Sequence, residues 1–161
     1  MSTSKQRRTR GPGARALVIG CIALVTIGLV VLNVRGSTRT ATADPSNAEQ
    51  VAQGRQVYAA NCASCHGANL EGQPNWQQDL PSGGRPAPPH DATGHTWHHN
   101  DQSLFTTVKY GGQATAPQGY QSNMPAFGNS LTDNEIWAAL AFIKRSWPPD
   151  ILAAQQQAGH Q

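Results

Sequence analysis

Acidic residues are missing from the first 43 positions of this 161-residue chain, and all nine Asp and Glu lie from Asp44 onward. Seven of the twelve Lys and Arg, by contrast, lie at or before Arg39. The formal charge of +3 therefore hides two parts of opposite sign: residues 41–161 hold five bases and nine acids, a net of −4. That argues against nucleic acid as a partner, because the later part lacks the basic footprint such binding needs. Cysteine is scarce, with only Cys21, Cys62 and Cys65, and methionine is scarcer, with only Met1 and Met124. No internal repeat is visible, and only one long run is both apolar and free of charge.

That run, Ala16 to Val34, is 19 residues long. At 1.5 Å rise per residue it gives about 28 Å of helix, close to the hydrocarbon thickness of a bilayer. Lys5, Arg7, Arg8, Arg10 and Arg15 precede it without an acid among them, which places the N-terminus in the cytoplasm and the residues after the run on the far side of the membrane. We therefore read 1–15 as a basic cytoplasmic N-terminus and 16–34 as a single-pass anchor in a bacterial inner membrane. A cleaved signal sequence fits less well, because the run is longer than a usual h-region and the nearest A-x-A site, Ala41-Thr42-Ala43, sits well beyond it. Cys21 has most of the run after it, the reverse of a lipidation signal. The Arg7-Arg8 pair is followed by Thr and Arg, unlike a twin-arginine signal.

Residues 35–47 are polar and read as a flexible linker. A helix follows through Asn61, with Ser46 or Asn47 as its cap, Val51, Val57 and Tyr58 as apolar positions, and Gly54 permitting a close backbone crossing. Gly67 to His99 shows no periodicity and reads as loop. Asn100 or Asp101 then caps a short helix bearing Leu104, Phe105 and Val108 that ends at Gly111-Gly112, and a second loop runs from Gln113 to Ser130. The best-marked helix opens on Thr132-Asp133-Asn134-Glu135, a capping box, and carries Ile136, Leu140, Ile143 and Trp147 at helical spacing before Pro148-Pro149 stops it. Residues 148–161 are left as a C-terminal tail, at most a frayed helix.

The chemistry is concentrated in Cys62-Ala63-Ser64-Cys65-His66. A C-x-x-C-H box reads as a covalent haem c attachment site: two thiols add across the vinyl groups and the following imidazole serves as proximal iron ligand. A zinc site would need a second thiol pair or a spaced His pair, and the remaining Cys21 lies in the apolar run. A thioredoxin-like pair leaves His66 unexplained. For the second axial ligand the one internal methionine, Met124, sits in a loop beside Pro125. A lone Met more often fills a core gap, but the loop context points to a ligand. Four histidines, His90, His95, His98 and His99, crowd one loop with Asp91. They suggest a second metal site for copper or zinc, bonding to haem propionates or loop carbonyls with Trp97 at the haem edge, or bis-His ligation in place of Met124.

Together, Gly54-x-x-x-Tyr58, Cys62 to Gly67, Met124-Pro125-x-Phe127 and the Trp137-bearing last helix resemble class I cytochromes c, specifically single-haem, membrane-anchored bacterial forms. The resemblance covers about residues 48–147, taken as the haem domain. It implies an all-α cytochrome c fold of three to four short helices around one covalent haem, preceded by the transmembrane helix. It further implies that Gly54 and Tyr58 lie against Trp137 and its neighbours, and that the carbonyl of Pro88 or Pro89 holds the proximal imidazole. The expected function is one-electron outer-sphere transfer without a chemical substrate. The expected partners are a quinol-oxidising complex and a terminal oxidase or dehydrogenase, met on the periplasmic side. The competing readings are the haem subunit of a periplasmic dehydrogenase, a peroxidase-type enzyme, or a His-rich copper-handling or sensory haem protein. A di-haem peroxidase would need a second C-x-x-C-H box, and a one-haem enzyme an open sixth position on the iron.

Overall fold

The structure, a computed structural model, describes residues 42–158. The basic N-terminus, the anchor 16–34 and most of the linker lie outside the described residues. The linker's end is not free: from Thr42 onward it is held, with Ala43 buried in the core, Gln50 Nε2 donating to the Thr42 carbonyl at 2.8 Å and Gln50 Oε1 accepting from the Asp44 N–H at 2.9 Å.

Among the described residues there are helices and no strands. Helix α1 spans Ala48–Asn61 and is capped by Asn47, whose side chain accepts from the Gln50 N–H. A single turn, α2, spans Ala63–His66. The long segment from Gly67 to His99 is loop, as its composition implied, apart from one 3₁₀ turn at Thr96–His98. Asn100 caps α3, Asp101–Tyr110. A further single turn, α4, spans Gly112–Thr115 and takes in the start of the stretch from Gln113 to Ser130 expected to be loop. It forms where Gly111, at φ 87°, ends α3 and reverses the chain.

Helix α5, Asp133–Arg145, carries both halves of the capping box: Thr132 accepts from the Glu135 N–H, and Glu135 bonds the Thr132 N–H in return at 2.8 Å. Ile136, Leu140, Ile143 and Trp147 are all buried, as their spacing required. Ala138, Ala139 and Ala141 are buried as well, because α5 is enclosed on more than one side. On one side it crosses α1 at Gly54, where an added Cβ would collide with the Ala138 carbonyl. On another, Trp137 stacks on Phe105 of α3 at 4.4 Å between ring centroids. Tyr58 therefore meets Phe142, at 5.3 Å, and not Trp137. The aromatic contact expected at the helix crossing exists, with Phe142, five residues after Trp137, as the partner.

Residues after Pro148 are not a frayed tail. Helix α6, Pro149–Ala158, opens on Pro149, the helical position that tolerates a missing N–H. Its Gln155 is 2 % exposed and donates to Asp101 Oδ1 at 2.7 Å and to the His99 carbonyl at 3.2 Å. Both carboxylate oxygens of Asp101 also accept from Lys144 Nζ at 2.8 Å. This buried cluster ties the start of α3, the end of α5 and the middle of α6 together.

Candidate haem site

The end of α1 runs directly into the cysteine box. Cys62 accepts at its carbonyl from the N–H groups of Cys65 and His66, at 3.1 and 2.9 Å, and this winds Ala63–His66 into one helical turn. In such a turn residues i and i+3 share a face, so Cys62 and Cys65 present their thiols on one side. Cys62 is half-buried and Cys65 exposed. Burial, with the neighbouring Cys65 thiol, pushes the Cys62 thiol up to about 11. Gly67, at φ 82°, ends the turn, and its carbonyl accepts from Tyr58 OH at 2.9 Å.

His66 is 7 % exposed, and its Nδ1 lies 2.9 Å from the Pro88 carbonyl. A carbonyl only accepts, so Nδ1 carries the proton and the neutral ring keeps its lone pair on Nε2. Burial lowers the pKa of this imidazole, outweighing the opposing bond to Pro88, and so favours the neutral, metal-ligating form. Of the two candidate prolines, Pro88 holds the ring. Pro89 is buried beside it, and its carbonyl accepts instead from Thr96 Oγ1 at 3.4 Å. Gly72, at φ 69°, lets the intervening loop lie so close that a Cβ there would strike the Pro89 nitrogen.

Met124 is half-buried on a separate loop. Its carbonyl accepts from the Gly112 N–H at 3.1 Å and its N–H bonds Ser122 Oγ at 3.3 Å. Asn123 Nδ2 reaches the Gly83 carbonyl at 3.4 Å, and the Phe127 N–H bonds the Val108 carbonyl at 3.0 Å. These bonds pin both sides of the Met124 position. Two thiols on one turn, a buried imidazole with a fixed tautomer and a thioether on a pinned loop form a donor set that suits a covalent haem.

Among the described residues, no group of three or more His, Cys, Asp or Glu side chains is placed to hold an ion. The four imidazoles are committed to different partners. His95 stacks on Trp76 at 5.8 Å, His98 stacks on Trp97 at 3.7 Å, and His99 stands edge-on to His95 at 5.3 Å. His90 turns inward and stacks on His66, 4.0 Å between centroids. Trp97 donates its indole N–H to the Gly94 carbonyl at 3.0 Å and packs against the core. Sequence reasoning missed both His90 as a neighbour of His66 and Phe142 as the partner of Tyr58. The only signal for the first was the position of His90, directly after the Pro88-Pro89 pair.

The cytochrome c family profile matches residues 51–147. The cytochrome bc1 complex cytochrome c subunit of Mycobacterium bovis is 37% identical over 75 residues, covering 45% of this chain and 27% of that protein. The Cbb3-type cytochrome c oxidase subunit FixP of Sinorhizobium medicae is 28% identical over 94 residues, covering 58% of this chain and 29% of that protein. This chain thus spans less than a third of the length of either. Cytochrome c6 of Picosynechococcus sp. is 33% identical over 120 residues, covering 74% of this chain and 90% of that protein. With the C-x-x-C-H box at the end of α1 and the imidazole seated behind it, the chain belongs to the cytochrome c family, electron carriers in which haem c is attached covalently.

Proposed function

We propose that this chain is a single-haem, membrane-tethered electron carrier that exchanges one electron at a time with respiratory complexes and has no chemical substrate of its own. The observation that carries the reading is the buried His66, directly after the two thiols, with Nδ1 committed to the Pro88 carbonyl and Nε2 left as the donor. Cys62 and Cys65 would hold the haem covalently, and His66 and Met124 would supply the two protein donors to its iron. Bound there, the haem supplies the Fe(III)/Fe(II) couple. The chain's own residues fix the tautomer of one ligand, hold the loop of the other and exclude water from the His66 side. Imidazole and thioether together favour the reduced iron more than two imidazoles do, so the potential is positive.

A quinol-oxidising complex as donor and a terminal oxidase as acceptor fit the kinds of complex named by the mycobacterial and rhizobial relatives. The charge-free run 16–34, with basic residues before it, supports a tether in the inner membrane with the haem domain outside the cytoplasm. A tether of this kind raises the effective concentration for a partner in the same membrane to the order of millimolar. That relaxes any need for tight docking.

The test is to produce the chain with haem-maturation machinery and record its spectra, oxidised and reduced, with and without carbon monoxide. A far-red sulfur-to-iron band in the oxidised protein, lost in Met124→Ala, and no carbon monoxide binding by the reduced wild type are expected. An absent band with ready carbon monoxide binding would show an open sixth position and overturn the carrier reading in favour of catalysis or sensing.

A further inference from the structure

We infer that His90 is a positioning residue for His66, its ring lying flat against the proximal imidazole and fixing the plane in which that imidazole meets its iron. The inference rests on the proposed role of His66 as proximal ligand.

The geometry has two parts. The bond from Nδ1 to the Pro88 carbonyl fixes one edge of the His66 ring but leaves the ring free to rock about that contact. The His90 ring, 4.0 Å away and tilted by only 20°, occupies the face and removes that freedom. An apolar side chain would fill the same space and yet slide.

His90 cannot slide, because its own polar atoms are bound. Its N–H donates to the Leu70 carbonyl at 2.8 Å and its carbonyl accepts from Trp147 Nε1 at 2.8 Å. Its Nδ1 shares a hydrogen bond of 2.8 Å with Thr96 Oγ1, whose other neighbour is the Pro89 carbonyl at 3.4 Å. Tyr58 closes the remaining side edge-on, 6.3 Å between centroids. Leu70 accepts at the same carbonyl from the Asp91 N–H at 3.3 Å and does so from φ 71°, a left-handed backbone that costs a side-chain-bearing residue roughly 1 kcal/mol or more. Strain of that kind persists where the surroundings over-determine it, and here it lies in the residue that seats His90.

The plane of an axial imidazole sets the pattern of haem-methyl shifts in the proton NMR spectrum of a ferric haem and the anisotropy of its electron paramagnetic resonance spectrum. Mere packing support leaves both unchanged. The holoprotein is compared with His90→Phe, His90→Ala and Thr96→Val. His90→Ala is expected to reorder or compress the methyl shifts and move the potential while the far-red band survives. His90→Phe, which restores a flat face without the bond to Thr96, should return the pattern only in part. Thr96→Val, which removes the hydroxyl that fixes His90, should shift it in the same direction by less, and it decides the matter if His90→Ala fails to hold haem. Wild-type patterns and potentials in both His90→Ala and Thr96→Val would overturn the inference. A wild-type protein without an imidazole on its iron would instead overturn the ligand assignment, and the inference with it.

Discussion

Tyr58 is 1 % exposed and serves three neighbours with one side chain: its hydroxyl bonds the Gly67 carbonyl, one edge meets His90 and its ring packs on Phe142. Burial and the nearby Cys62 and Glu71 raise its pKa, so the hydroxyl keeps its proton and remains a donor. Tyr58→Phe leaves both ring contacts and removes only the bond that closes the turn after His66. An intramolecular hydrogen bond of this kind contributes about 1 kcal/mol, and its loss should lower the urea midpoint of the holoprotein by a corresponding amount with the haem spectrum unchanged. A drop of several kcal/mol would mean that the hydroxyl organises the whole box. At this scale the sequence was most legible where chemistry is local. The C-x-x-C-H box needs its residues adjacent, so spelling and geometry coincide. His90 was not legible as a neighbour of His66, because their contact depends on how the loop from Gly67 to His90 folds back, and that loop has no periodicity to read.

Two elements meet where α1 crosses α5. Gly54 sits against the Ala138 carbonyl with no room for a methyl group, and the obstacle is backbone, which cannot rotate away. Gly54→Ala is expected to force the helices apart at a cost of about 1–3 kcal/mol, the usual range for overpacking, against the small gain Ala brings to an isolated helix. Thermal unfolding of the holoprotein measures the balance; a stability at or above wild type would show that the crossing yields easily. The start and the buried face of α5 could be written down in advance because capping box and apolar spacing agreed with each other. The choice between Trp137 and Phe142 as partner of Tyr58 could not, since both lie on buried sides of a helix enclosed by two others. Helix α6 was underestimated for a related reason. Its Ile151 and Leu152 pack against the core, but the bond that locks it in place runs through the polar Gln155, which hydrophobic patterning does not register.

The molecule as a whole carries imidazoles that resist protonation. His95 and His99 have their pKa lowered from 6.5, first by burial and then by the positive charge that neighbouring histidines would add. In the unfolded chain these groups take up protons near pH 6.5, whereas in the folded chain they do so only at lower pH. Stability is therefore full above that value and is lost as the pH falls through it toward the folded-state pKa values. The urea midpoint is expected to decline between about pH 7.5 and about pH 5.5, and the double variant His95→Asn/His99→Asn should make the decline shallower, the rest belonging to the more deeply buried His90. A level wild-type profile would mean that these rings protonate as readily folded as unfolded. The whole-molecule fold class was readable because the haem box, the bordering helices and the late Met loop occur in one order, while the clamp among Asp101, Lys144 and Gln155 became visible only when three distant segments were brought together.

The crossing of Gly54 with Ala138 also sets a timetable. The first helix cannot find its partner until the ribosome has made the residues around Ala138, and at about 5–20 residues per second that is a wait of roughly 4 to 17 s after Gly54 is joined. Closing so long a loop is entropically slow as well. During that delay the helix that leads into Cys62 and Cys65 lacks the packing of α5. The same late contact that completes the fold thus gives the assembly enzymes an interval in which both sulfurs can be reached.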